Sequence, residues 1–122
     1  MLEVARGPLA EPVLARAAAS LAARCDLPVD RLEDAVLVLG ALLDGAPPDR
    51  EPLHVRIDPR RHALAICAGP YGPGEAQRLL DAQAAPGVPM LAVLTGVPAV
   101  EAGEDGDYLR LVVASVPHAR LN

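Results

Sequence analysis

The hydrophobic period of the chain changes between residues 43 and 53, and this change limits the folds open to it. Before the change, apolar residues such as Leu14, Ala18 and Leu21 recur at three- and four-residue spacing, which is typical of an α-helix. After it, Leu53 and Val55 begin a strict alternation of apolar and polar residues, which indicates a β-strand. The sequence therefore favours the α+β class.

Two helices are predicted in the first half of the chain. The first runs from about Glu11 to Cys25, and the second runs from about residue 28 or 29 to Leu43. The second helix carries apolar residues on more than one face, so we expect it to be deeply docked. Gly45 is well placed to end it, and the two prolines that follow make continuation unfavourable.

A β-hairpin is predicted next, with a first strand over 53–58, a turn over 59–61 and a second strand over 62–67. One face of this hairpin is apolar and should meet the core. The other face carries side chains that are unusually small for a solvated surface. Its predicted members are His54, Arg56, Ala63, Ala65 and Cys67.

Shorter elements complete the prediction: a strand over 2–4, a rigid loop over 69–74, a helix over 75–83, a break over 84–89, a helical turn over 90–94 and two strands over 97–101 and 108–115. We expect a two-layer α+β sandwich. Three main helices cover one face of a mostly antiparallel, mixed sheet of about four to five strands. Residues 1–116 form a single domain, and residues 117–122 form a tail.

Composition excludes several functional classes. The chain has 122 residues, a formal net charge of −5 and only two aromatic residues, Tyr71 and Tyr108, so it lacks the basic and stacking surfaces of nucleic-acid-binding proteins. No apolar run reaches the roughly 18 residues of a membrane helix, and no signal peptide is visible. Cys25 and Cys67 have no zinc-binding spacing. We predict that both are reduced and packed, and one disulfide between them is the alternative. We expect a cytoplasmic protein.

Two residues of the second helix are unfavourable where they stand. Gly40 in a helix interior costs about 1 kcal/mol relative to alanine, and the carboxylate of Asp44 faces the negative end of the helix dipole. Close packing at Gly40 and solvation of Asp44 would explain both. A bound ion or phosphate group next to this helix end is the alternative.

This helix also carries a resemblance to a known family. Residues 32–46, LEDAVLVLGALLDGA, resemble the second helix of the bacterial anti-sigma regulatory factors, serine-protein-kinase relatives in the histidine-kinase-like (GHKL, Bergerat-fold) ATPase superfamily. The sequence PYGPG at 70–74 falls where the family has its Asp-x-Gly-x-Gly loop, and GVPML at 87–91 falls at its second glycine motif. The resemblance covers about residues 2–116. It implies a nucleotide site at Asp44, Gly72, Gly74 and Gly87, with Asp44 as a Mg²⁺ ligand and ATP/Mg²⁺ as the cofactor.

The chain departs from the family at the residues that carry its chemistry. Gly40 stands where the family has its glutamate general base, and Asp44 stands in place of the asparagine ligand. Pro70 replaces the aspartate that recognises adenine, and Asn122 is the only asparagine in the chain. We therefore expect a degenerate ATP site and assign no catalytic residue.

The resemblance implies a regulatory protein whose partner is a sigma factor or a protein like an anti-sigma-factor antagonist. The small outer sheet face is a candidate surface for that partner or for a homodimer, unless segments of the chain itself cover it. Two alternatives stay open. The first is an active serine-protein kinase that phosphorylates an anti-sigma-factor antagonist, and the second is a sensor that binds a small ligand in the vacated nucleotide cleft.

Overall fold

A computed structural model describes residues 2–5, 10–44, 53–81, 83–85, 88–89, 91, 94–95 and 98–115. Its elements, in chain order, are β1 (Leu2–Ala5), α1 (Ala10–Arg24), α2 (Val29–Asp44), β2 (His54–Arg60), β3 (Ala63–Tyr71), α3 (Glu75–Asp81), β4 (Gln83–Ala85), β5 (Val88–Pro89), β6 (Ala99–Ala102) and β7 (Asp107–Ala114). The predicted α+β class is confirmed. The bounds of α1 and α2 lie within a residue or two of the predicted ones.

Five strands form the main sheet in the order β1-β2-β3-β7-β6, and β4 pairs with β5 in a separate two-stranded sheet. Every pairing among these described strands is antiparallel, so the main sheet contains no parallel pair within this part of the chain. The order places β3 at the centre of the sheet, with β2 on one side and β7 on the other.

The hydrophobic core lies between one face of the sheet and the helices. Helix α1 contacts β1, β2 and β3, whereas α2 and α3 contact β7. The alternation along each strand sends every second side chain into this layer. Its fully buried members include Leu14, Ala18, Leu39, Leu42, Val55, Ile57, Leu64, Leu109, Leu111 and Val113. The helices therefore cover one face of the sheet, and the outward side chains of β2, β3 and β7 form the other.

The hairpin turn lies two residues later than predicted. Pro59 and Arg60 belong to β2 and pair with Leu64 and Ala63, so the turn consists of Arg61 and His62. Proline indicated a turn by propensity, but it is tolerated in a strand wherever no ladder partner needs its missing N–H. Strand β1 pairs with residues 54–57 only, so Pro59 lies beyond that ladder.

The predicted loop over 69–74 is also partly wrong. Residues 69–71 continue β3 past an irregularity between Ala68 and Tyr71, and Tyr71 pairs with Asp107. Glycine at 69 permits a close approach, since a Cβ there would lie 2.5 Å from Cδ2 of Tyr108 and 2.9 Å from the backbone oxygen of Asp107. The connection to α3 is therefore only residues 72–74.

Other differences are smaller. Helix α3 ends at Asp81 rather than at residue 83, and the predicted break over 84–89 contains part of β4 and all of β5. In the predicted turn over 90–94, Leu91 and Leu94 are helical, and the amide of Thr95 donates to the Leu91 oxygen at 3.1 Å. Gly45 and the predicted tail lie outside the described residues. Among the described helices, none is long and apolar enough to cross a membrane.

Candidate functional site

The implied nucleotide site would lie where α2 ends and the loop over 72–74 begins. Asp44 is the last residue of α2, and its side chain lies outside the described part of the structure, as does all of Gly87. Gly72 and Gly74 both lie in the short loop between β3 and α3. Gly40 is half-buried within α2, which continues unbroken past it.

Tyr71 occupies the space between the last turn of α2 and the end of β3. Its side chain is 1% exposed, and its hydroxyl donates a hydrogen bond of 3.0 Å to the carbonyl oxygen of Leu42. The last four carbonyls of a helix have no helical partner, so the tyrosine satisfies one of them. The buried Tyr71 side chain therefore contacts the last turn of α2, next to the position where the resemblance implies a bound nucleotide.

The loop that follows is closed by Glu75. The Gly72 amide donates to Oε2 of Glu75 at 3.0 Å, and the Glu75 amide donates in return to the Gly72 carbonyl oxygen at 3.0 Å. The two bonds close a four-residue turn, in which the Glu75 carboxylate satisfies the first amide and the backbone bond is the usual i to i+3 turn bond. A phosphate group needs free amide donors and no adjacent carboxylate, so this loop is poorly suited to hold one.

The opposite face of the sheet offers a different site. Arg56 of β2 and Arg110 of β7 are the direct cross-strand partners of Cys67 on β3. These three residues line both of two adjoining cavities, of about 310 and 340 Å³. The first cavity extends toward Asp58, Arg60 and Val112, and the second extends toward His54, Glu101 and Tyr108.

Charged pairs border this open face. Arg60 contacts Asp58 at 3.1 Å and Arg110 contacts Glu101 at 3.1 Å, and all four side chains are more than one third exposed. Exposed pairs of this kind contribute about 0–1 kcal/mol to stability. These side chains can therefore leave their present ion pairs at little cost and pair with a ligand or a protein partner.

The centre of the face is small and apolar, as the alternation predicted. Ala65 and Cys67 are half-buried, Val112 is 37% exposed, and Ala63 is more covered than expected at 8%. Both cysteines are free thiols, and Cys25 is buried. Within the described ranges, no three His, Cys, Asp or Glu side chains cluster closely enough to hold a metal ion.

Sequence reasoning missed the contribution of the last two strands to this site. Arg110, Glu101 and Tyr108 reach it only because β7 pairs with β3 and β6 pairs with β7. The alternation of apolar and polar residues in β7 is a signal that could have placed Arg110 on the outward face, but no local signal identifies its neighbour.

Sequence comparison adds no family assignment to this geometry. No family model matches the chain, and no curated protein matches it significantly.

Proposed function

We propose that this chain is a non-catalytic regulatory domain that acts through contact with a protein partner and does not use ATP. The observation that carries the proposal lies at the last turn of α2, where the buried hydroxyl of Tyr71 donates a hydrogen bond of 3.0 Å to the Leu42 carbonyl oxygen. The Glu75 carboxylate on the Gly72 amide adds to it, because it takes a donor that a phosphate would use. Gly40 offers no group that could accept a proton from a substrate hydroxyl.

The open sheet face is the proposed contact surface. The solvated face of an antiparallel sheet normally carries polar side chains, whereas this face has Ala65, Cys67 and Val112 at its centre. Arginine and acidic side chains surround that centre. An apolar core with a polar rim rich in arginine is the usual composition of a protein–protein interface.

The partner we propose is a sigma factor or a protein like an anti-sigma-factor antagonist, and the site of action is the cytoplasm. Both assignments rest on the resemblance of residues 32–46 to the second helix of the anti-sigma regulatory factors.

Calorimetric titration with ATP and Mg²⁺ tests the first half of the proposal. We expect no binding heat at micromolar or millimolar nucleotide and no change in melting temperature, since a ligand that binds the native state must raise it. Micromolar binding, or transfer of labelled phosphate from ATP to a cognate partner, would contradict the proposal and favour the kinase alternative.

A matched pair of substitutions tests the surface. Ala65→Arg places a long charged side chain in the centre of the open face, whereas Ala19→Arg makes the same change on the exposed side of α1. We expect the first variant to abolish co-purification with sigma factors from the same genome and the second to leave it unchanged. Equal binding by both variants would show that the partner uses another surface.

A further inference from the structure

One transverse row of the main sheet places a small thiol between two guanidinium groups. Arg56, Cys67 and Arg110 lie in register on the neighbouring strands β2, β3 and β7. In such cross-strand pairs the two Cβ atoms lie about 5 Å apart, so both arginines start close to the cysteine. All three side chains line the same two cavities and therefore project from the same face.

The short middle residue leaves room above β3. Cys67 ends at its sulfur atom, whereas the arginine on either side has a long flexible stem, so the two guanidinium groups can converge over the thiol. Each guanidinium carries five N–H donors in a planar fork, which suits the oxygens of phosphate or carboxylate. The adjoining cavities of about 310 and 340 Å³ provide space for a small ligand there.

A carboxylate of β6 competes for one of these arginines. Glu101 contacts Arg110 at 3.1 Å with both side chains exposed. An exposed pair is held weakly, and one carboxylate does not occupy all five donors of a guanidinium. A dianion placed between the two arginines would interact with both at once.

We infer that Arg56 and Arg110 bind a small tetrahedral oxyanion, either inorganic phosphate or the phosphate group of a phosphate monoester, above Cys67. This site lies on the open sheet face, away from the helix end where the resemblance implies a nucleotide. It stands whether or not the proposed protein partner exists, because its evidence is the register of three strands and the cavities they line.

Cys67 supplies a built-in probe of this site. We would measure the alkylation rates of Cys67 by anionic iodoacetate and by neutral iodoacetamide, following the modified peptide by mass spectrometry to separate it from Cys25. Because both reagents attack the same thiolate, the ratio of the two rates reports the local electrostatic potential. A unit charge about 7 Å away changes that ratio roughly threefold at low salt.

Arg56→Gln and Arg110→Gln should each lower the iodoacetate-to-iodoacetamide ratio about threefold. Arg16→Gln removes the same charge from the exposed surface of α1, on the helical layer, and should leave the ratio unchanged. Equal ratios in the wild type and in both arginine variants would overturn the inference.

Competition between phosphate and iodoacetate tests binding directly, and it uses the wild-type protein. Inorganic phosphate should slow the reaction of Cys67 with iodoacetate in a saturable way, beyond the effect of sodium chloride at the same ionic strength. Phenyl phosphate in a parallel series distinguishes the sources. Stronger protection than by phosphate indicates a monoester, and equal or weaker protection indicates the free ion.

Two further variants test whether the two arginines, and the carboxylate that competes for one of them, control the protection by phosphate. The Arg56→Gln/Arg110→Gln double variant should lose the specific protection, and Glu101→Gln should strengthen it because a competing carboxylate is removed. Protection of the wild type no greater than that by sodium chloride would overturn the inference, as would undiminished protection in the double variant.

Discussion

The Nε atom of Arg31 donates a hydrogen bond of 2.8 Å to the carbonyl oxygen of Ala114, which joins the first turn of α2 to the end of β7, 83 residues later. The same guanidinium donates from Nη2 to the Leu94 carbonyl oxygen at 2.8 Å and from Nη1 to Asp34 at 2.5 Å. Arg31 is 5% exposed. A single buried arginine therefore connects a helix, the central sheet and the segment around Leu94.

Arg31→Met should lower the free energy of unfolding by about 2–4 kcal/mol, because the substitution leaves two carbonyl oxygens and a carboxylate without their donor. Urea denaturation monitored by circular dichroism measures this. Arg16→Met, on the exposed surface in the middle of α1, should change the free energy by less than about 0.5 kcal/mol. A loss at Arg31 no larger than that at Arg16 would mean that the three hydrogen bonds carry no net stability.

Tyr71→Phe should lower the free energy of unfolding by about 1 kcal/mol, because the buried Leu42 carbonyl loses its donor while the ring stays packed. The matched change is Tyr108→Phe, whose hydroxyl meets Asp105 in an exposed pair at 3.0 Å. We expect the exposed bond to contribute less. Denaturant midpoints of the two variants give the comparison, and a larger loss at Tyr108 than at Tyr71 would contradict it.

Gly69→Ala should destabilise the sheet by about 1–3 kcal/mol through overpacking, since the new methyl group would lie 2.5 Å from the Tyr108 ring. Part of this loss should return when Tyr108→Ala is combined with it, because the ring no longer blocks the methyl group. A double-mutant cycle measures the coupling. Strictly additive effects would show that the ring is not the obstacle.

Much of the fold could be predicted because its elements follow periods that are local in sequence. The stripe of α1 and the alternation after residue 53 specified the layers, and the alternation also placed Ala65 and Cys67 on the outer face. The hairpin turn was misplaced because Pro59 is a strong turn signal. A proline is tolerated there because β1 ends before it, and the extent of that strand pairing depends on tertiary structure and not on local sequence.

The sites were harder to predict than the elements for a related reason. The burial of Arg31 could not be predicted, since its carbonyl acceptors at Leu94 and Ala114 have no sequence signature. Tyr71 was assigned to a glycine- and proline-rich loop, which concealed its buried contact with α2. Arg110 could be given an outward direction but no neighbour, because strand register is set by pairing across the whole sheet.

Asp44→Asn distinguishes an unfavourable helix end from a Mg²⁺ ligand. Asp44 is the last residue of α2, so removing its charge should raise the free energy of unfolding by about 0.3–1 kcal/mol through the helix dipole. Asp30→Asn in the first turn of the same helix is the matched control, and it should lower the free energy by a similar amount.

Melting temperatures measured with EDTA and with millimolar MgCl₂ test the alternative, because a bound ion stabilises the native state. We expect the melting temperature of each protein to be the same with EDTA as with MgCl₂. A Mg²⁺-dependent increase that the wild type shows and Asp44→Asn lacks would establish Asp44 as a metal ligand, against the proposed non-catalytic role.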